Sequence, residues 1–393
     1  MSEWKEYVLD KFTNVNPTES LSKNTMAKKI AMEMLQPFSK RVSGYTIEPY
    51  NGGMKFRNGD TVVARITPCL ENGKTAFIDV LDENEVGFGS TEFIVIREKY
   101  NVSDKQFIYY FSVSSEFRDI AILSMTGSSG RQRVEIDVLR KHIFLFPPLP
   151  EQKAIAGVLS GLDDKIDLLH RQNKTLEAMA EALFRQWFVE PCVDGLLDGW
   201  KEQSLGELVS VVDNRGKTPP NIEDYTPYPV IEVNALGKDD RLVDYSVIKK
   251  YVDEETFNNW FRDRLNKYDI LISTVGSIGA LSMYIIEKGN IAQNVIGLHT
   301  EKISPFFLYQ FLKFKVDEII QYDIGGVQPS IKVPHILSIT IPIPPPEKQN
   351  QFDKIIVTFM HKMENNYMQI RTLEKLRNTL LPKLMSGEVR VKA

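Results

Sequence analysis

The chain repeats itself. Glu3-Trp4-Lys5-Glu6 returns as Gly199-Trp200-Lys201-Glu202, and Leu9 is answered by Leu205. A second echo holds one offset over dozens of residues. Phe144-Leu145-Phe146-Pro147-Pro148-Leu149-Pro150-Glu151-Gln152 matches Ile341-Pro342-Ile343-Pro344-Pro345-Pro346-Glu347-Lys348-Gln349. In the same register Lys165 meets Lys362, Lys174-Thr175-Leu176-Glu177 meets Arg371-Thr372-Leu373-Glu374, and Leu183 meets Leu380. A repeat that keeps its proline punctuation restricts the fold to two copies of one architectural unit.

Each copy divides into a globular part and a long helix. Residues 1–145 read as alternating strands and short helices separated by turns at Asn51-Gly52-Gly53, Asn58-Gly59, Asn72-Gly73 and Gly127-Ser128-Ser129-Gly130. Val62–Ile66 and Phe93–Ile96 read as strands and Phe107–Ile122 as a helix. The second copy follows with a strand at Asp269–Ser273, a helix from about Pro305 to Ile320, and a turn at Gly325-Gly326-Val327-Gln328. The intervening loops differ, as they would between two recognition modules of different specificity.

The long helices are set by periodicity. From Glu151 to about Trp187, apolar residues fall at Ile155, Val158, Leu159, Leu162, Ile166, Leu169, Leu176, Met179, Leu183 and Phe184, one stripe at three-and-four spacing. The second copy gives Phe352, Ile355, Ile356, Phe359, Met363, Tyr367, Ile370, Leu373, Leu376 and Leu380. Pro150 and Pro346 are expected to precede the two helices, and Pro191 and Pro382 to close them. Such a stripe can pack on its own module or on the other stripe. Because the first helix leads from one module to the next and the second leaves the last, extended helices would run back antiparallel. At about 35 residues each they would span roughly 50 Å. The expected fold class is α+β: two mixed α/β domains separated by two long antiparallel helices forming a coiled coil, with a pseudo-twofold internal repeat. Such an object suits a twofold partner such as duplex DNA. The boundaries are 1–146, 147–195 for the first helix, 196–341, and 342–393 for the second.

Bulk chemistry excludes more than it assigns. The 393 residues carry a net charge of −4: zero over 1–145, −3 over 146–195, −5 over 196–341 and +4 over 342–393. Any nucleic-acid surface must therefore be local. The first residues are polar and no apolar run reaches the ~18 residues of a membrane span, so a cytoplasmic protein is expected. Cys69 and Cys192 form neither a disulfide framework nor a metal site. No G-x-x-x-x-G-K-[ST] loop is present, nor the F-x-G-x-G and [DNS]-P-P-[YF] pair of amino-methyltransferases. Ser304-Pro305-Phe306-Phe307 reads as a helix start. Gly276-Ser277-Ile278-Gly279 reads as a hairpin turn, and Asp163-Asp164-Lys165 as a solvated charge run. His142, His170, His299, His335 and His361 are scattered without ligand spacing. No catalytic constellation emerges.

The order of motifs resembles the specificity (S) subunits of type I restriction–modification systems over essentially the whole chain. Its carriers are Pro147–Gln152, Leu162-Asp163-Asp164-Lys165-Ile166, Phe184-Arg185-Gln186-Trp187-Phe188, Gly199-Trp200-Lys201-Glu202 and Leu381-Pro382-Lys383-Leu384-Met385-Ser386-Gly387-Glu388. Pro346 in place of Leu149, and Phe359-Met360-His361 in place of Leu162-Asp163-Asp164, depart from the pattern without disturbing its register. The resemblance implies a non-catalytic DNA reader. Two target recognition domains each take half of a split, asymmetric duplex site, and the helices set the gap and dock two methyltransferase (M) subunits. Two restriction (R) subunits would complete the complex. It implies no cofactor on this chain, S-adenosylmethionine, ATP and Mg belonging to the partners. The alternatives are a stand-alone sequence-specific DNA-binding regulator and a protein scaffold indifferent to DNA.

Reading a duplex needs phosphate anchors and bidentate base-edge readers. In the first module the candidates are Ser128, Ser129, Arg131 and Arg133, with Lys55, Arg57, Arg65 and Lys74 flanking turns. In the second they are Arg215, Lys217, Thr218, Thr274, Ser277, Gln293, Asn294, Gln328, Ser330 and Lys332. Gln328 falls opposite Arg131 in the repeat register. For the helix interface the candidates are Ile155, Leu159, Leu162, Ile166, Leu169, Leu176 and Leu183. They face Phe352, Ile356, Phe359, Met363, Ile370, Leu373 and Leu380 on the second helix.

Overall fold

Thr61–Ala64 and Ile270–Ser273 are buried along their whole length, so each must be covered on both faces and flanked on both edges. In the computed structural model each is an inner strand of a four-stranded antiparallel sheet. The structure describes residues 3–392 apart from 129, 215–217, 223, 238–239, 287 and 327. It falls into two units, residues 1–167 with 370–393, and residues 168–369, a division that runs through both long helices.

In unit one the sheet order is Thr13–Val15, Phe93–Glu98, Thr61–Ala64, Thr75–Phe77. A second sheet pairs Met26–Ile30 in parallel with Gly87–Gly89, flanked by Thr46–Pro49 and Lys55–Phe56. Lys5–Val8 pairs antiparallel with Ile143–Phe146, and Leu9 N–H donates to His142 O at 3.0 Å. Phe12 stacks on Phe146 with centroids 3.6 Å apart. Phe107, Phe111, Ile155 and Leu159 share that core, so the first turns of the long helix close the module.

Unit two repeats the framework. Its sheet runs Val209–Val212, Val295–Thr300, Ile270–Ser273, Leu281–Met283. Lys201–Ser204 pairs with Thr340–Ile343, and Leu205 N–H donates to Ile339 O at 2.8 Å. The accessory sheet differs, with three strands rather than four: Tyr251–Val252, Tyr228–Ile231 and Asn290–Ile291. The single helix expected in each module is two, Lys105–Val113 with Ser115–Leu123, and Pro305–Phe314 with Val316–Ile320. Asp104 and Ser304 cap the first of each pair, each accepting from two backbone N–H groups.

The long helices are Leu149–Phe184 and Pro346–Met385. Their shared glutamine has one structural duty in both copies: Gln152 Nε2 donates to Pro147 O at 2.9 Å, and Gln349 Nε2 to Pro344 O at 3.0 Å. Gln152 goes further, donating to Val102 O and accepting from Asp104 N–H. Pro382 does not end the second helix, which continues to Met385. Buried Leu384 and Met385 pack into the core of unit one and carry the helix past the missing N–H.

Within each unit the helices pair antiparallel. In unit one Glu151 pairs with Arg390, just beyond the second helix, and Asp163 with Arg377. In unit two Asn173 meets Asn366 and Phe184 meets Phe352. Ile155, Leu159, Ile166, Leu169, Phe352, Ile356, Met363 and Ile370 are buried. Leu162, Leu176, Leu183, Phe359, Leu373 and Leu380 are only half-buried. The fully covered positions beside them are Asp163, Asn173, Glu177, Met360 and Asn366.

Asp163 is therefore not part of a solvated charge run, although Asp164 and Lys165 are exposed. Its carboxylate accepts from Tyr110 Oη at 2.6 Å and Arg377 Nη1 at 2.8 Å. In unit two Glu177 accepts from Arg241 Nε at 2.6 Å and Lys313 Nζ at 2.9 Å. Burial alone would raise the Glu177 carboxyl; the charges of Arg241 and Lys313 outweigh it and hold it below the ordinary glutamate range.

Two measurements follow. Gln152→Ala removes three hydrogen bonds and Gln349→Ala one, so the first should cost about 3 kcal/mol and the second about 1 kcal/mol in denaturant unfolding. Equal costs would contradict the assignment. A carboxylate whose folded pKa is depressed stabilises above its unfolded pKa, and that contribution fades as pH falls through the folded value. Glu177→Gln should thus cost about 3 kcal/mol at pH 7 and progressively less below about pH 4. A parent–variant gap that stays constant down to pH 3 would refute the ion pair.

Candidate nucleic-acid interface

In unit one a short hairpin, Met125–Thr126 against Arg133–Val134, carries the loop 127–132. It rests on the turn that follows Thr61–Ala64. Val134 N–H donates to Arg65 O at 3.0 Å and Thr67 N–H to Gln132 O at 3.0 Å, while Arg65 N–H reaches Glu92 O at 2.8 Å. Gln132 N–H closes the contact on Thr67 Oγ1 at 3.0 Å.

Unit two builds the same anchorage from other residues. Ile331 N–H donates to Thr274 O at 2.9 Å, Gly276 N–H to Pro329 O at 3.0 Å, and Thr274 N–H to Asn294 O at 2.9 Å. Asp323 draws the loop shut by accepting from Gly325 N–H and Ser330 N–H, both at 2.8 Å, and these donors hold its carboxyl below the usual aspartate range. A Cβ on Gly325 would lie 1.9 Å from Gln328 O, so the loop closes this tightly only with glycine there. The anchors Gln132 and Pro329 are equivalent, and Arg131 and Gln328 each precede one of them. Both are exposed.

The other candidates separate by what already holds them. Arg133 forks onto Glu92 at 2.7–3.0 Å, so a phosphate would have to displace a carboxylate. Arg65 Nε donates to Val134 O at 3.2 Å and Lys74 Nζ to Met32 O at 3.0 Å. Lys55 and Arg57 lie elsewhere in unit one, in an open cleft with Thr18, Ser20 and Ser22. There Lys55 Nζ reaches Glu19 O at 2.7 Å, and Arg57 pairs with the buried Glu19 carboxylate at 2.5 Å, which Arg97 also holds. Among the described residues no hydrogen bond or ion pair involves the Arg131 side chain. Ser128 is exposed and its carbonyl accepts from Arg131 N–H at 2.9 Å.

In unit two Thr274, Ser277, Asn294, Gln328, Ser330 and Lys332 gather on the equivalent loops. Thr274 is buried and Asn294 and Ser330 half-buried; Ser277, Gln328 and Lys332 are exposed, as are Gln293 and Thr218. Ser277 uses its carbonyl to accept from the Ser273 hydroxyl. Ser129, Arg215 and Lys217 lie outside the described residues. The sequence reading missed Glu92, forty-one positions from its partner, and Asp323. The latter had a signal, since Asp323-Ile324-Gly325 is a local carboxylate turn.

Among the described residues, no group of His, Cys, Asp and Glu is arranged to hold a metal ion. No described helix is long and apolar enough to cross a membrane.

Comparison with known proteins gives these paired loops a setting. The family model for the type I restriction modification DNA specificity domain matches twice, over residues 1–178 and 197–378. The type I restriction enzyme MjaIX specificity subunit of Methanocaldococcus jannaschii is 27% identical over 310 residues, 73% of this chain and 69% of that protein. The HindI specificity subunit of Haemophilus influenzae is 24% identical over 479 residues, covering 99% of this chain and all of the relative. The crystal structure of the type I restriction-modification S subunit from M. genitalium superposes with a TM-score of 0.54 at 20% identity, over 97% of this chain and 96% of that one, and so shares the fold. With both of its modules matched, this chain belongs to the type I restriction modification DNA specificity domain family.

Proposed function

We propose that this chain is the DNA-recognition subunit of a type I restriction–modification complex, each module reading one half of a split, asymmetric duplex site. The observation that carries this is the duplicated loop anchorage. The same three backbone hydrogen bonds hold equivalent loops in two modules whose loop residues differ, and they present Arg131 in one and Gln328 in the other. Arginine pairs in bidentate fashion with guanine O6 and N7, and glutamine with adenine N6 and N7. A shared frame with different reading residues is what an asymmetric site requires.

The chain's role is to bind and position. Methyl transfer from S-adenosylmethionine, and the use of ATP and Mg, are assigned to two methyltransferase subunits and to restriction subunits. The paired helices space the modules and offer the methyltransferases a docking surface.

Mapping methylated bases in cells that make this chain with its methyltransferase partner tests the reading. A single bipartite motif is expected. Replacing residues 1–146 with another first module should change one half of that motif and leave the other intact. A change in both halves, or no methylation that depends on this chain, would overturn the proposal. Within the first module, Arg131→Ala should weaken specific DNA binding about tenfold or more, whereas Arg133→Ala, which loses an arginine already held by Glu92, should weaken it less. Binding assays on the complex that gave the opposite order would show the reading arginine to be the other one.

A further inference from the structure

Unit two contains a buried polar path that the DNA-reading proposal does not use. Glu177, on the first long helix, is bound by Arg241, whose side chain is completely buried and lies over the Tyr309 ring at 5.0 Å. Gln310 Nε2 and Lys313 Nζ, from the helix Pro305–Phe314, complete the carboxylate's shell at 3.3 and 2.9 Å. One residue earlier, Asp240 accepts from Asn173 Nδ2 at 3.1 Å, and Asn173 in turn accepts from Asn366 of the second long helix at 2.9 Å. Both helices are thus tied to one segment of the module.

That segment continues toward the reading loop. Met283 N–H donates to Arg241 O at 2.6 Å, and Leu242 bridges Met283 in parallel register. Leu281–Met283 pairs with Ile270–Ser273, the strand that runs directly into Thr274 and Gly276 and so into the anchorage of Gln328. Hydrogen bonds therefore connect the helix pair to the loop without a gap. Two further Arg241 nitrogens, Nη1 and Nη2, are buried without hydrogen-bond partners among the described residues.

A site under selection for stability alone would be served better by apolar side chains, because desolvating two charges offsets most of their attraction. What the charged arrangement supplies is direction. An apolar contact between module and helix tolerates sliding by a fraction of a turn, whereas Glu177 is satisfied in one register only. We infer that Glu177 and Arg241 are positioning residues that index the second module along the helix pair and thereby fix the gap between the two DNA half-sites. This rests on the DNA-reading proposal above. In unit one, Asp163 of the first long helix is held by Tyr110 of the module and by Arg377 of the second long helix.

The test is methylated-base mapping in cells making the full chain with its methyltransferase partner, comparing the parent, the Glu177→Gln variant, and a double variant Glu177→Leu with Arg241→Met. The parent is expected to methylate sites of one gap length. The double variant, which keeps apolar packing but removes direction, should keep both half-sites. It should also raise methylation at sites one base pair longer or shorter by about tenfold relative to the parent. Glu177→Gln, which keeps shape and weakens the pair, should show the same spread to a smaller extent. It decides the matter should the double variant fail to accumulate. A parental gap spectrum in either accumulating variant would overturn the inference and leave the DNA-reading proposal standing. A parent that methylates no bipartite site would overturn both.

Discussion

A helix of 36 residues cannot hide a full apolar stripe against a single neighbour, and everything else in this protein follows from how its two long helices meet that demand. In each unit, one helix half packs simultaneously on a module and on the other helix. Ile155 and Leu159 share a core with Phe12, Phe146 and Phe107, into which Leu384 and Met385 from the end of the second helix also enter. Phe184 and Phe188 do the same with Phe307, Phe352 and Ile356. Module and helix are one hydrophobic object in both copies.

Duplication followed by divergence shows what the architecture needs and what it leaves free. The opening glutamine, the helix cap after the inner strand, the sheet order and the three backbone bonds that seat the equivalent loops are kept. The accessory sheets and the loop residues are not. The charge on the helix opening is even reversed between copies. Glu151 accepts from Trp4 Nε1 in one, while Lys348 lies over the Trp200 ring in the other. Backbone geometry is kept between the copies where it positions a loop, and side chains vary along the loop itself.

The repeat, the two helices and the Arg131–Gln328 correspondence were legible because each rests on local spacing, which a sequence displays directly. The helix interface was legible in part. Ile155, Leu159, Phe352 and Ile356 lie on an apolar stripe that periodicity reveals, but Asp163, Glu177 and Asn366 were hidden by their polarity. A buried carboxylate looks like a solvated one until its partner is known. The partners, Tyr110 and Arg377 for Asp163 and Arg241 for Glu177, stand 53, 214 and 64 residues away. The same distance concealed that Arg133 is occupied by Glu92 while Arg131, two residues earlier, is not.

The amino-acid sequence by itself determined that there are two copies of one unit, that each ends in a long amphipathic helix, and that Arg131 and Gln328 hold the same position in the repeat. These follow from periodicity, proline and glycine, whose effects act within a few residues. Only the tertiary structure decided which charges are buried and paired, which arginine of the loop is held by a carboxylate, and how far a helix continues past a proline. Those outcomes depend on which distant side chain arrives to satisfy a desolvated group, and no local pattern encodes that arrival.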